Sequence, residues 1–271
     1  MADQDRRVHF LDREHESRRV DEAFRSGESM MISGPADVGK TALIKHVLGS
    51  LPREIENQCL YLAGFKDLQD LLRKLLKRLY QARNPALHRQ LHAEGVSAAN
   101  FDVWLKATSS PRLKGALYRA VERRGYRVIL DHGPPLTHAI AKVIKELFWM
   151  HNTPVYLLQR DEPGYRIDQF SHFFYWDRRE RLALGPLPKP VASEMLEQCI
   201  RRFGLSNFDL NEFREEALDL SRCVPGAIVK MCALAADERY QYGRRIKTKL
   251  VHIDYLMSGS GVAPSVGRRG H

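Results

Sequence analysis

Gly34-Pro35-Ala36-Asp37-Val38-Gly39-Lys40-Thr41 fills every fixed position of the pattern G-x-x-x-x-G-K-[ST]. The pattern needs an apolar strand before it and a helix after it. Met30-Met31-Ile32 supplies the first, and the helix-forming Ala42-Leu43-Ile44-Lys45 supplies the second. Glycines let the backbone curl with its N–H groups inward, and the following helix offers the positive end of its dipole, so the segment predicts a cradle for phosphate oxygens. The expected nucleotide contacts are Gly34, Pro35, Ala36, Asp37, Val38, Gly39, Lys40, Thr41 and Ala42. Lys40 is expected at the β- and γ-phosphates and the Thr41 hydroxyl on Mg²⁺, which makes ATP with Mg²⁺ the expected ligand. A chance match in a glycine-rich turn is the competing reading, and the flanking strand and helix weigh against it.

Working outward, short strand-like runs alternate with longer helical patterns, the signature of a parallel α/β sheet. Strands are expected at Ser29–Ser33, Cys59–Ala63, Tyr126–Asp131, Pro154–Gln159 and Leu182–Leu184. Helices are expected at Lys40–Ser50, Leu68–Ala82, Arg112–Arg124 and His138–Met150, each with apolar residues three to four apart. After Gly185-Pro186-Leu187-Pro188 the strand signals stop, and helical patterns cover Val191–Phe203, Asn211–Ser221 and Gly226–Arg239. The expected fold class is therefore α/β, a doubly wound parallel five-stranded sheet followed by a small all-helical domain. Its expected parts are a nucleotide-binding core at 1–187, a helical lid at 188–257 and a disordered basic tail at 258–271.

A triphosphate site of this kind also needs a carboxylate for Mg²⁺ at the end of a neighbouring apolar strand. Tyr126-Arg127-Val128-Ile129-Leu130-Asp131 ends on one, and a residue there lands at the carboxyl edge of the sheet, where open α/β folds bind ligands. Asp131 is the expected metal residue beside Thr41. The competing reading is a turn-forming Asp before Gly133-Pro134-Pro135.

The 271 residues are 44% hydrophobic, enough for a core, and no stretch approaches the roughly 18 apolar residues of a membrane span. The N-terminus leads into no apolar signal segment, so a cytoplasmic location is expected. Cys59, Cys199, Cys223 and Cys232 have no zinc-type spacing and predict reduced thiols. The formal net charge of +10 favours polyanions if the cations cluster. They concentrate at Arg73-Lys74-Leu75-Leu76-Lys77-Arg78 with Arg83, at Arg123-Arg124 with Arg127, and at Arg244-Arg245 with Lys247 and Lys249. The first of these is equally the wet face of an amphipathic helix.

These residues carry a family resemblance. Phe10-Leu11-Asp12-Arg13-Glu14-His15-Glu16 is similar to the F-x-G-R-E-x-E opening of many AAA+ ATPases, with Asp12 in place of Gly. Leu182-Ala183-Leu184-Gly185-Pro186-Leu187 resembles their strand and L-x-P-L turn, and Cys223-Val224-Pro225-Gly226-Ala227-Ile228 their G-x-P-R-x-I lid motif. The chain thus resembles initiator-type, archaeal-type and transposition-regulator or secretion-associated AAA+ ATPases over nearly its whole length. The resemblance implies a P-loop NTPase sheet of the additional-strand type, ATP hydrolysis to ADP and phosphate, and self-association.

The sequence also departs from that pattern. His132 stands where the family has the Glu that polarises the attacking water, and Gly226 where the lid commonly carries a sensor arginine. Binding without brisk turnover is the consequence. His132 as a base and Gln159, a polar strand end that orients the water, are the expected catalytic residues. Arg178, Arg179 and Arg181 are the candidates for an arginine finger. The cluster Phe170, Phe173, Phe174, Tyr175 and Trp176 suits a protein interface or packing between lid and core.

Three functions fit. An ATP-dependent switch, or weak ATPase, oligomerises, assembles on duplex DNA and recruits a protein partner. A nucleotide-binding signalling or scaffold module controls a protein without nucleic acid. A small-molecule kinase is the third, disfavoured by the lid pattern after Pro188.

Overall fold

The computed structural model describes residues 13–122, 125–150, 153–167 and 181–260. Two compact units emerge, one built from His15–Ser33 and Leu43–Ala183, the other from Met1–Glu14, Gly34–Ala42 and Leu184–His271.

Along the chain, α1 (Glu14–Ser26) leads to β1 (Met30–Gly34), and α2 (Lys40–Leu48) and the single turn α3 (Arg53–Glu56) lead to β2 (Cys59–Leu62). Four helices follow, α4 (Leu68–Gln81), α5 (Pro85–Ala93), α6 (Phe101–Ala107) and α7 (Ser110–Val121). The chain then runs through β3 (Arg127–Leu130), α8 (His138–Phe148), β4 (Val155–Arg160) and β5 (Arg181–Ala183). The five strands lie in the order β2-β3-β4-β1-β5, and the β1–β5, β2–β3 and β3–β4 pairs are parallel. This is the doubly wound sheet the alternation predicts, with every strand within one residue of expectation at each end. The first five residues of β4 are buried, as helices on both faces of a parallel sheet require.

Local chemistry explains the helix boundaries. The Asp67 carboxylate caps α4 by accepting the Asp70 N–H at 2.8 Å, and Asn84 caps α5 ahead of Pro85. Along α4, Leu71, Leu72, Leu75, Leu76 and Leu79 are buried in one core with β2, β3, α7 and α8. Helix α1 escapes the periodicity reading because only Val20, Ala23 and Phe24 are buried on an otherwise charged segment. Phe24 stacks on Tyr156 with centroids 4.0 Å apart, and the Tyr156 hydroxyl donates to Ala23 O at 2.8 Å.

The second unit has a separate core around Leu196, Phe213, Ile228 and Met231. It contains α9 (Lys189–Arg202), α10 (Asn211–Ser221), α11 (Pro225–Ala235) and α12 (Thr248–Tyr255). A two-stranded antiparallel hairpin, β6 (Gln241–Tyr242) with β7 (Arg245–Ile246), corrects the expectation that this part is helical throughout. Strands of two residues are too short to show alternation. No helix among the described residues is long and apolar enough to cross a membrane.

The aromatic cluster Phe170–Trp176, Arg178, Arg179, Arg123, Arg124, Phe10–Asp12 and residues 261–271 of the expected 258–271 tail lie outside the described residues, whereas the first part of that tail belongs to a helical turn, Leu256–Ser260, that continues α12.

Candidate nucleotide site

The phosphate loop leaves the carboxyl end of β1, which lies between β4 and β5 where the order of connection reverses, the usual ligand position in such sheets. Gly34 is required there. A Cβ would stand 2.5 Å from Leu184 O and 3.0 Å from the Val38 side chain. Asp37 takes a left-handed backbone, φ 61°, the kind of conformation from which anion cradles are built. Lys40, first residue of α2, donates from Nζ to Gly34 O at 2.8 Å and Pro35 O at 2.7 Å. Its ammonium is thus held across the mouth of its own loop. Thr41 and Ala42 continue the first turn of α2, Thr41 half-buried and Ala42 exposed.

The loop is gripped from the helical part of its own unit. Lys230 Nζ lies 2.9 Å from Asp37 Oδ1 and 2.8 Å from Oδ2, and the Tyr255 hydroxyl donates to Oδ2 at 3.3 Å. Burial and the Asp37 charge push the Tyr255 hydroxyl up to about 12. The Gly226 N–H donates to Asp37 O at 2.9 Å. Gly226, expected as an empty sensor position, is a docking point, because a Cβ there would meet Asp37 Cβ and O at 2.7 Å. Arg13 donates to Gly185 O, which joins the two segments whose likeness to the family opening and to the L-x-P-L turn is independent in sequence.

In the α/β unit, Asp131 follows β3 with 3% exposure, and its N–H extends the ladder to Leu62 O at 3.0 Å. Its carboxylate is held on both oxygens: the Tyr61 hydroxyl donates to Oδ2 at 2.8 Å, and His132 Nδ1 stands 3.0 Å from Oδ1. Burial, followed by the hydrogen bond to Asp131, raises the Tyr61 hydroxyl above its ordinary range. His132 has a left-handed backbone, φ 50°, and a side chain 58% exposed. The sequence places Asp131 on a strand neighbouring β1, whereas β4 intervenes, about 10 Å of sheet in all. Gln159, expected as the strand end, is the penultimate residue of β4, and its Oε1 accepts the Ile167 N–H at 3.1 Å.

Sequence reasoning missed Lys230, Tyr255 and Tyr61. For Tyr61 a signal existed, a hydroxyl one residue before the end of the strand paired with β3. For Lys230 the only hint was its spacing of four from Gly226, which puts both on one helix face.

Two of the basic clusters are differently engaged. Arg127 Nε donates to Phe24 O at 2.8 Å and its Nη1 to Gln58 Oε1 at 2.7 Å, so it ties the unit together rather than facing a polyanion. Arg73 donates to Leu105 O and Lys106 O at 2.9 Å each, while Lys74 and Lys77 pair with Asp70 and Asp102. On the β6–β7 hairpin, by contrast, Tyr242, Arg244, Arg245 and Lys247 are all exposed.

No family model and no curated protein matches the sequence. Solved structures match in fold. A Walker-type ATPase of Pyrococcus abyssi aligns with a TM-score of 0.56 at 19% identity, over 94% of this chain and 75% of that one. The ORC1 protein of Aeropyrum pernix, solved in complex with DNA, aligns with a TM-score of 0.55 at 14% identity, over 90% of this chain and 65% of that one. This chain shares the fold of these structures and builds it from a five-stranded α/β sheet with a mainly helical C-terminal part.

Proposed function

We propose that this chain is an ATP-dependent switch of AAA+ type, which binds ATP with Mg²⁺, hydrolyses it slowly to ADP and phosphate, and relays the nucleotide state to a partner. The supporting observation is the loop from Gly34 to Ala42: a left-handed turn at Asp37 opening into α2, with Lys40 across its mouth, at the switch point of the sheet. Magnesium is the proposed companion ion, with the Thr41 hydroxyl and the buried Asp131 carboxylate as its proposed protein partners. When bound it neutralises phosphate charge.

Slow turnover follows from His132. With Nδ1 turned to Asp131, Nε2 is the nitrogen left to take a proton from an attacking water, through a left-handed residue instead of an extended Glu. Gln159 has its Oε1 committed to Ile167, which leaves the amide nitrogen for any water-orienting role. Self-association, a finger among Arg178, Arg179 and Arg181, a lid beginning at Pro188 and a cytoplasmic location belong to the same proposal.

Duplex DNA is the proposed polyanion, with the hairpin as its contact. Arg244, Arg245 and Lys247 have no carboxylate partner among the described residues, and a two-residue turn at Gly243-Arg244 is slim enough to enter a groove. A structure of the same fold was solved on DNA.

The test is binding and turnover of ATP by the wild type, Lys40→Ala and His132→Glu, with duplex DNA retardation at two salt concentrations. Binding that Lys40→Ala weakens at least about tenfold, with slow turnover, is expected. A wild type that binds no ATP overturns the reading. ATP binding without any DNA retardation leaves the signalling or scaffold module.

A further inference from the structure

The phosphate loop contains an acid of its own. Asp37 belongs to the same eight residues that are to hold a triphosphate, and a carboxylate there opposes every negative charge the ligand brings. In this chain that carboxylate is neutralised from outside the loop. Lys230 spans both oxygens at 2.8 and 2.9 Å, in a pair whose side chains are 43% and 21% exposed, so solvent screens it only in part. Lys230 lies one turn after Gly226 on α11, and the Gly226 N–H meets Asp37 O while the Tyr255 hydroxyl meets Oδ2. The face of α11 that would carry a sensor arginine is thus occupied by the loop itself.

We infer that Lys230 is a positioning residue for the nucleotide: by cancelling the Asp37 charge it makes the loop competent for a triphosphate. This rests on the nucleotide reading above. The effect grows with ligand charge, so Lys230 supports ATP more than ADP. It also predicts that the pair is needed only because Asp37 is acidic. Removing both charges restores binding that removing Lys230 alone weakens.

The experiment titrates the full chain with fluorescent mant-ATP and mant-ADP in Mg²⁺, using the wild type, Lys40→Ala, Lys230→Met, Lys230→Arg, Asp37→Asn and Asp37→Asn/Lys230→Met. Melting temperatures without nucleotide are recorded alongside. Lys230→Met is expected to weaken mant-ATP about tenfold and mant-ADP about threefold, with the ATP deficit shrinking at high salt. Lys230→Arg is expected within about threefold of wild type, and the double variant is expected to bind mant-ATP more tightly than Lys230→Met does. If the double variant binds as weakly as Lys230→Met, the link is only structural and the proposal is overturned. Indifference of mant-ATP to Lys230→Met, with Lys40-dependent binding intact, overturns it alone. A wild type that binds neither ligand overturns the nucleotide reading and this proposal together.

Discussion

The Tyr61 hydroxyl donates to Asp131 Oδ2 at 2.8 Å from the adjacent strand, while His132 Nδ1 stands 3.0 Å from Oδ1. A buried carboxylate at the sheet edge is thereby oriented by two groups, one of them 70 residues away in sequence. Groups that orient a metal-binding carboxylate are worth roughly 10–100-fold in metal affinity. Tyr61→Phe should therefore raise the Mg²⁺ concentration for half-maximal ATP binding about tenfold. Mg²⁺ titration of nucleotide binding checks this, and an unchanged midpoint would remove Tyr61 from the site.

His132→Glu should raise ATP turnover about tenfold, because a carboxylate extends further toward the water than the imidazole does. The gain carries a stability cost of about 1 kcal/mol. Glu gains nothing from the left-handed backbone that His132 adopts, and it sets a second carboxylate beside Asp131. Steady-state phosphate release and thermal melting measure the two effects. No gain in turnover would mean that slow hydrolysis has another cause.

Gly226→Arg should not restore a sensor arginine. Its Cβ would fall 2.7 Å from Asp37 Cβ and from Asp37 O, so the loop or α11 must shift, at a cost of about 1–3 kcal/mol. The expected outcome is a lower melting temperature with weaker ATP binding. Faster hydrolysis in this variant would show that the docking at Gly226 is dispensable.

Arg127→Met should destabilise the α/β unit by about 1–3 kcal/mol, since Phe24 O and Gln58 lose a charged donor. DNA retardation should stay as in wild type. Weakened retardation with unchanged stability would return Arg127 to the basic surface.

Arg244→Ala and Arg245→Ala should each leave stability nearly unchanged, because both side chains are exposed. Each should weaken DNA retention and reduce the salt slope by about 1. Retention indifferent to both changes would exclude the hairpin as the contact.

The sequence by itself determined the strand-to-helix turn at Gly34 to Thr41, all five strands and the long amphipathic helices. Each of these is written in neighbouring residues: Gly34 to Thr41 is contiguous, and the alternation of apolar runs acts over a few residues at a time. It also located Asp131, because a carboxylate closing an apolar strand has one place to go in a parallel sheet. Only the tertiary structure decided what those residues touch. Asp37 and Lys230 are 193 positions apart, and Arg127 and Phe24 are 103 apart, so no local period relates them. Helix α1 and the β6–β7 hairpin were hidden for the opposite reason, since three buried side chains and two-residue strands leave too little pattern. Gly226 was legible as a missing arginine; that the phosphate loop fills its place is a fact of packing between segments the chain brings together only when folded.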